Sequence, residues 1–205
     1  MPGPLPRADR AATMGHMSQL EKILVPLAPG FEEIEFVTIV DVLRRADLAV
    51  IVASLQPGPV RGSHGIEIAP DACLADLELD TFTRIVLPGG QPGTRHLAAD
   101  ERVLALVRRL AGAGVGSKHV TTAAICAAPF VLHAAGVLRG VEVTAHPSVH
   151  KDLVDAIVKP ELRVVHAGAI CTSQGACTAM DFALALVADW KGAACAAELR
   201  TALRV

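Results

Sequence analysis

The sequence predicts an α/β domain built on a mostly parallel sheet with helices on both faces, and three observations carry that expectation. From Lys22 onward, short apolar runs alternate with stretches whose apolar residues recur at i, i+3, i+4 and i+7. The runs stop at Pro-Gly or Gly-Gly pairs, as strands do where a parallel crossover begins. Hydrophobic residues make up 52% and charged residues 20% of the 205, which suits one sizeable core and excludes a disordered chain.

The elements follow in order. Ile23 to Leu27 is an apolar run closed by Pro29-Gly30. Phe36, Ile39, Val40 and Leu43 then form one face of a helix ending near Ala46. Val50 to Leu55 is a second strand, stopped by Pro57-Gly58, and the glycines at 62 and 65 suggest a small hairpin leading to Ile66 and Ile68. Arg84 to Leu87 is a strand ending at Pro88-Gly89-Gly90. Val103, Leu106, Val107 and Leu110 mark a helix that Gly112 and Gly114 terminate. Val120 to Ile125 reads as a strand and Ala127 to Ala135 as a helix, with short strands at Val141 to Thr144 and Val164 to Ala167. Met180, Ala183, Leu184 and Val187 repeat the helical spacing, and a last helix covers Ala194 to Ala202. No repeat or linker interrupts residues 20–205, so one domain is expected there. The Pro-rich start, residues 1–19, reads as a disordered tail or tag remnant, with Gly15-His16-Met17 resembling a cloning scar.

Composition also narrows the function. Nineteen basic against twenty-one acidic residues give a net charge of −2, with no electrostatic footprint for nucleic acid. The uncharged stretch Val120 to Leu138 is long enough for a membrane helix, but its β-branched start, Pro129 and His133 argue for a buried strand running into a buried helix. The five cysteines (73, 126, 171, 177 and 195) are odd in number and contain no C-x-x-C pair, so reduced thiols in a cytoplasmic setting are expected, with an organellar address as the alternative. His146 and His150 have i,i+4 spacing but lack a neighbouring Glu and enclose Pro147, so no metal site is read there.

In open parallel sheets, sites form at the carboxyl ends of strands. Ala124-Ile125-Cys126-Ala127-Ala128 places a thiol between strand and helix among small residues, the shape of a nucleophile elbow. At a helix N-terminus such a thiol would be biased toward thiolate, below its free pKa of roughly 8.5; the plainer reading is a small buried hydrophobe. Gly89 and Gly90 after the preceding strand can present N–H groups to a developing oxyanion. Glu32 and Glu33 are ordinary partners of a helix dipole, whereas Glu35 lies one residue before the apolar face and can point inward, protonated, toward a thiolate. His146, after a short strand, is the best placed imidazole for proton transfer. The other four cysteines read as packing residues, Cys195 nearest the surface.

Together, Pro29-Gly30-Phe31-Glu32-Glu33-Ile34-Glu35, Val40 to Ala46, Leu87-Pro88-Gly89-Gly90, Ala124-Ile125-Cys126-Ala127, Thr144-Ala145-His146-Pro147 and Thr172-Ser173-Gln174-Gly175 resemble the ThiJ/PfpI superfamily, and within it the parkinsonism-associated deglycase branch. The resemblance implies a flavodoxin-like three-layer sandwich, a homodimer and a cofactor-free site. It makes Cys126 the reactive thiol, Glu35 its protonated partner, His146 the nearby imidazole, and the N–H groups of Gly90 and Ala127 the oxyanion donors. Arg45 resembles a basic residue that approaches the partner's site, and His64 stands where the branch often has Arg. Ala128 replaces a Gly, and Gln174 and Ala176 replace the Arg and Pro of their loop, changes expected to narrow or soften the pocket. Protease members carry His directly after the Cys, where this chain has Ala127, so peptide hydrolysis is disfavoured. The implied activity is a glyoxalase or deglycase acting on methylglyoxal, glyoxal or their thiol and amine adducts. The alternative is an oxidative-stress sensor or redox-regulated chaperone using the same cysteine.

Overall fold

The computed structural model describes residues 21–114, 116 and 119–205; the expected tail of residues 1–19 lies outside them. The chain runs β1 (Lys22–Leu27), α1 (Glu33–Arg45), β2 (Ala49–Ser54), a hairpin of β3 (Val60–Arg61) and β4 (Glu67–Ile68), β5 (Ala72–Cys73), β6 (Phe82–Leu87), α2 (Gly93–Ala99), α3 (Glu101–Ala113), β7 (Thr122–Ile125) and α4 (Pro129–Ala134). It continues through β8 (Glu142–Val143), β9 (Ile157–Val158), β10 (Val164–Ala167), β11 (Ile170–Ser173), α5 (Ala179–Lys191) and α6 (Ala193–Leu203). Seven strands form one sheet in the order β10-β11-β7-β6-β1-β2-β5. Every pairing in it is parallel except β10 with β11.

The sheet is buried on both faces, which explains why its strands read as continuous apolar runs. Ile23, Val25 and Leu27 of β1, with Val86 of β6 and Ile125 of β7, join a core closed by Phe36, Ile39 and Leu43 of α1 and Phe182 and Leu186 of α5. The alternate residues Leu24, Ile85, Leu87 and Ala124 face a second core with Leu106 and Leu110 of α3 and Val131 and Leu132 of α4. A residue period of two splits each strand between the layers. This is the expected three-layer sandwich. No helix among the described residues is long and apolar enough to cross a membrane; the 120–138 stretch divides into β7, a turn and the six-residue α4.

Three elements escape the apolar pattern. α2 is short and opens on glycine, and Asp100 separates it from α3 by accepting the Arg102 and Val103 N–H groups as that helix's N-cap. β11 carries Cys171, Thr172 and Ser173, buried because the strand is interior, not because they are apolar. β5 is a two-residue edge. At the expected strand beginning at Val120, pairing starts only at Thr122.

Phe182 is fully buried, so Phe182→Ala should destabilise the domain by about 3–5 kcal/mol through lost transfer energy and a residual cavity. Urea unfolding followed by circular dichroism measures the difference; a loss below 1 kcal/mol would show that this layer can collapse around the deletion.

Candidate active site

Cys126 follows β7 directly and has φ +63°, a left-handed conformation that a non-glycine residue adopts only under local constraint. Two hydrogen bonds pin it: its N–H donates to the Ser173 carbonyl at 2.9 Å, and its own carbonyl accepts the His146 N–H at 2.8 Å. The first continues the β7–β11 register of Ile125 with Ser173 one residue further. The elbow expected from the sequence is thus formed. Ala128, however, has right-handed backbone and packs fully buried into the α3–α4 core. Its methyl thus belongs to that core.

Glu35, in the first turn of α1, is fully buried and reaches this elbow. Its Oε2 accepts the Gly89 N–H at 2.9 Å. Among the described residues no N–H or O–H group reaches Oε1, and the neighbour that couples to this carboxyl is the Cys126 thiol. Burial raises the carboxyl to about 7, helped by the charge of Glu32 and opposed by the bonds from Cys126 and Gly89. The thiol is also pushed up, by burial first and then by the Glu35 carboxylate, while the N–H groups of Ala127 and Gly90 act to lower it. The expected depression by a helix N-terminus is therefore corrected: α4 starts three residues later, at Pro129, and is too short to dominate. The thiol and carboxyl instead titrate as one unit. The carboxyl gives up its proton first, near neutrality, and its charge then helps to hold the thiol protonated.

The glycine pair divides its work. Gly89 spends its N–H on Glu35, so of the three expected oxyanion donors only Gly90 and Ala127 direct theirs at the sulfur. Gly90 has φ +94°, and a Cβ there would stand 2.3 Å from the Glu32 nitrogen.

His146 lies beside the elbow with its imidazole exposed. Its Nδ1 accepts the Ser148 N–H at 3.2 Å and meets the Ser148 hydroxyl at 2.9 Å, which leaves the ring proton on Nε2. Ser148, two residues on, is a functional neighbour that sequence pattern alone did not single out. His146, Gln174, Gly175 and Cys177 line a cavity of about 430 Å³, with His150 and Arg163 on its wall. Gln174 is held by a bond to the Pro160 carbonyl at 2.6 Å. Cys177 is exposed, correcting its reading as a packing residue; Cys171 is buried, and Cys73 and Cys195 are half-buried.

Two other expected residues sit elsewhere. Arg45 pairs with Asp41 at 2.7 Å on the exposed side of α1. His64 binds Glu33 through its backbone N–H at 2.6 Å and its ring at 3.0 Å. Glu33 is consequently an anchor for the β3–β4 hairpin and not merely a dipole partner, and Glu32 is the N-cap of α1, accepting the Glu35 N–H. Glu32, Glu33 and His64 form the one cluster of metal-ligand type among the described residues, but these hydrogen bonds already occupy its carboxylates. His150 directs Nε2 at the Ala145 carbonyl and His146 uses Nδ1 on Ser148, so the two do not converge as a ligand pair.

A doubly covered parallel sheet with a strained cysteine elbow and a buried acid touching it defines a class, the flavodoxin-like sandwich with a nucleophile at the carboxyl end of a central strand. Within that class the chain belongs to the DJ-1/PfpI family, whose model matches residues 21–189. It is 41% identical over 172 residues to protein dj-1beta of Drosophila melanogaster, covering 82% of this chain and 89% of that one. The crystal structure of that fly protein superposes with a TM-score of 0.84 at 38% identity, covering 90% of this chain and 98% of the other. It is also similar to the glutathione-independent glyoxalase DJR-1.2 of Caenorhabditis elegans, at 34% identity over 86% of this chain and 92% of the relative. A deglycase of Pyrococcus abyssi is 30% identical over 66% of this chain and 78% of its own.

The coupled pair sets a pH profile. Below about pH 7 both groups are protonated; above it the Glu35 carboxylate forms, and its charge opposes formation of the Cys126 thiolate, the species that is alkylated. Glu35→Gln removes that charge, so the midpoint of Cys126 alkylation by iodoacetamide should fall by at least one pH unit. Stopped-flow rates from pH 5 to 10 check this, and an unchanged or raised midpoint would mean that the carboxylate does not hold the thiol protonated.

Proposed function

We propose that the protein is a cofactor-independent glyoxalase and deglycase that converts methylglyoxal, glyoxal or their thiol and amine adducts through Cys126. Membership of a family with relatives named glyoxalase and deglycase supports the class. The observation that carries the mechanism is the fully buried Glu35 carboxyl against the elbow thiol, with two backbone N–H groups directed at the sulfur.

The Cys126 sulfur attacks the aldehyde carbon and gives its proton to Glu35, and the carbonyl oxygen, now an alkoxide, takes that proton from Glu35 to complete the hemithioacetal. The Gly90 and Ala127 N–H groups steady the charge that develops on that oxygen. Glu35 or His146 then moves the carbon-bound proton from the former aldehyde carbon to the adjacent carbonyl carbon, through an enediol, leaving a thioester of a 2-hydroxy acid. Water cleaves the carbon–sulfur bond, releasing lactate from methylglyoxal and restoring the thiol. Atoms balance as aldehyde plus water to hydroxy acid, with no external oxidant.

A second reading uses the same geometry for redox sensing or redox-regulated chaperoning. The buried Glu35 carboxyl beside the sulfur favours it, since its protonated form can donate to a sulfinate oxygen. We also infer a homodimer, as the family resemblance implies. Ile34 and Val37, apolar and exposed on α1, are side chains such a contact would cover.

Lactate formation from methylglyoxal tests the first reading. Cys126→Ala should lower kcat/KM by at least a hundredfold and Glu35→Gln by less, because His146 remains to move protons; equal rates for wild type and Cys126→Ala would end the proposal. For the second, titration with peroxide and intact-mass readout should place two added oxygens on Cys126 before any other cysteine. Oxidation spread evenly over exposed Cys177 and Cys126 would contradict a tuned sensor.

A further inference from the structure

Gly175 lies between the reacting atoms and the adjoining cavity. A Cβ built on it would stand 3.8 Å from the Cys126 sulfur, 3.9 Å from Glu35 Oε1 and 3.9 Å from His146 Cδ2. Gly175 also lines the cavity of about 430 Å³, together with His146 and Cys177. Its backbone gives no reason for glycine. At φ 161° it is extended, a conformation open to any residue, and none of the three contacts is closer than ordinary van der Waals distance. Elsewhere in the site glycine is sterically required: at Gly89 a Cβ would stand 2.6 Å from both the Cys126 Cβ and Glu35 Oε2. What a side chain at 175 would take is space, equally near the nucleophile, the acid and the imidazole.

That space is where a substrate must lie. A carbon poised for attack sits about 3–3.5 Å from the sulfur, so a methyl group held 3.8 Å from it competes for the same shell. The cavity next to Gly175 is also larger than a two- or three-carbon aldehyde requires, within the range of small-ligand pockets. Its walls carry His150, Gln174, Arg163 and Cys177, but not Cys126 or Glu35. Chemistry and cavity therefore communicate across the bare backbone of residue 175.

We infer that Gly175 is the specificity-determining position of this site: its missing side chain lets the substituent of an α-oxoaldehyde extend from the Cys126 thiol into the cavity, so that substrates with substituents larger than methyl are accepted. This rests on the glyoxalase reading for its substrate class. Gln174, tied to Pro160, and Arg163, tied to Asp181 at 2.7–2.8 Å and to the Cys177 carbonyl at 2.8 Å, hold the rim in place and leave the aperture to residue 175.

Gly175→Ala and Cys177→Trp are compared with wild type on glyoxal, methylglyoxal and phenylglyoxal, with thermal midpoints as a folding control. The alanine variant should lose at least tenfold more kcat/KM on phenylglyoxal than on glyoxal, in line with the discrimination that a methyl-sized change supports. Cys177→Trp, which puts a bulky ring on the exposed cavity-lining residue Cys177, should depress phenylglyoxal turnover more than glyoxal turnover. Rates of Cys126 modification by iodoacetamide and by the bulkier iodoacetanilide supply a readout independent of turnover; Gly175→Ala should slow the second at least tenfold more than the first. Equal losses across the aldehyde series, or an unchanged alkylation ratio, overturn the inference. Wild type inactive on all three aldehydes ends the glyoxalase reading instead, and the alkylation ratio then decides the role of Gly175 alone.

Discussion

Gly89 approaches Cys126 and Glu35 so closely that any side chain on it would overlap both. That contact draws three separate segments to a point: the end of β6, the turn after β7 and the first turn of α1. It also commits the Gly89 N–H to Glu35 Oε2, which fixes the carboxyl beside the thiol. The left-handed backbone at Cys126 completes the arrangement by turning the sulfur out of the sheet toward the Gly90 and Ala127 N–H groups. Such a conformation costs on the order of 1 kcal/mol or more and persists because the Ser173 and His146 bonds hold it from both sides. The reactive centre follows from how tightly the backbone packs at these strand ends.

This shifts the source of reactivity away from a helix dipole. A six-residue helix starting beyond the elbow offers little, and burial alone would keep the thiol protonated. What the site supplies is a nearby acceptor that is itself reluctant to ionise. Because neither group holds a charge easily and the two are in contact, only the carboxyl ionises near neutrality, and the thiol beside it keeps its proton. Attack on an aldehyde then needs only a short proton movement to Glu35 as the new bond forms.

The sandwich was legible because its strands are buried on both faces and its long helices are amphipathic, so burial itself wrote the pattern. β11 was not, because Cys171, Thr172 and Ser173 are buried through parallel pairing with β7, a relation between segments that no local period records. Cys126, Glu35 and His146 were legible from strand-end context and family resemblance, and all three converge. The roles of Gly89 and Gly175 were not distinguishable, since both appear as glycine in a loop; one is demanded by contacts at 2.6 Å and the other leaves space at 3.8 Å. Cys177 looked like core in the sequence because a thiol's apolarity says nothing of which wall of a turn it occupies.

Glu33 and Glu35 show how finely the environment, and not the residue type, decides charge. Both sit in the first turn of α1 and both are buried, so desolvation raises each of them. At Glu33 that effect is overcome by the His64 ring, the His64 N–H and the Ser63 hydroxyl, and the carboxyl falls to about 2. Glu35 receives one backbone N–H and a thiol, and burial prevails, at about 7. Gly62 makes the first arrangement possible by letting the hairpin come within reach, since a Cβ there would overlap the Glu33 carboxylate. Two carboxyls two residues apart are thus set to opposite protonation near pH 6 by the number of donors each is allowed. The ionised one fastens a hairpin to the helix, and that helix carries the neutral one to the sulfur. An acid able to exchange a proton with Cys126 therefore depends on withholding donors from Glu35 as much as on burying it.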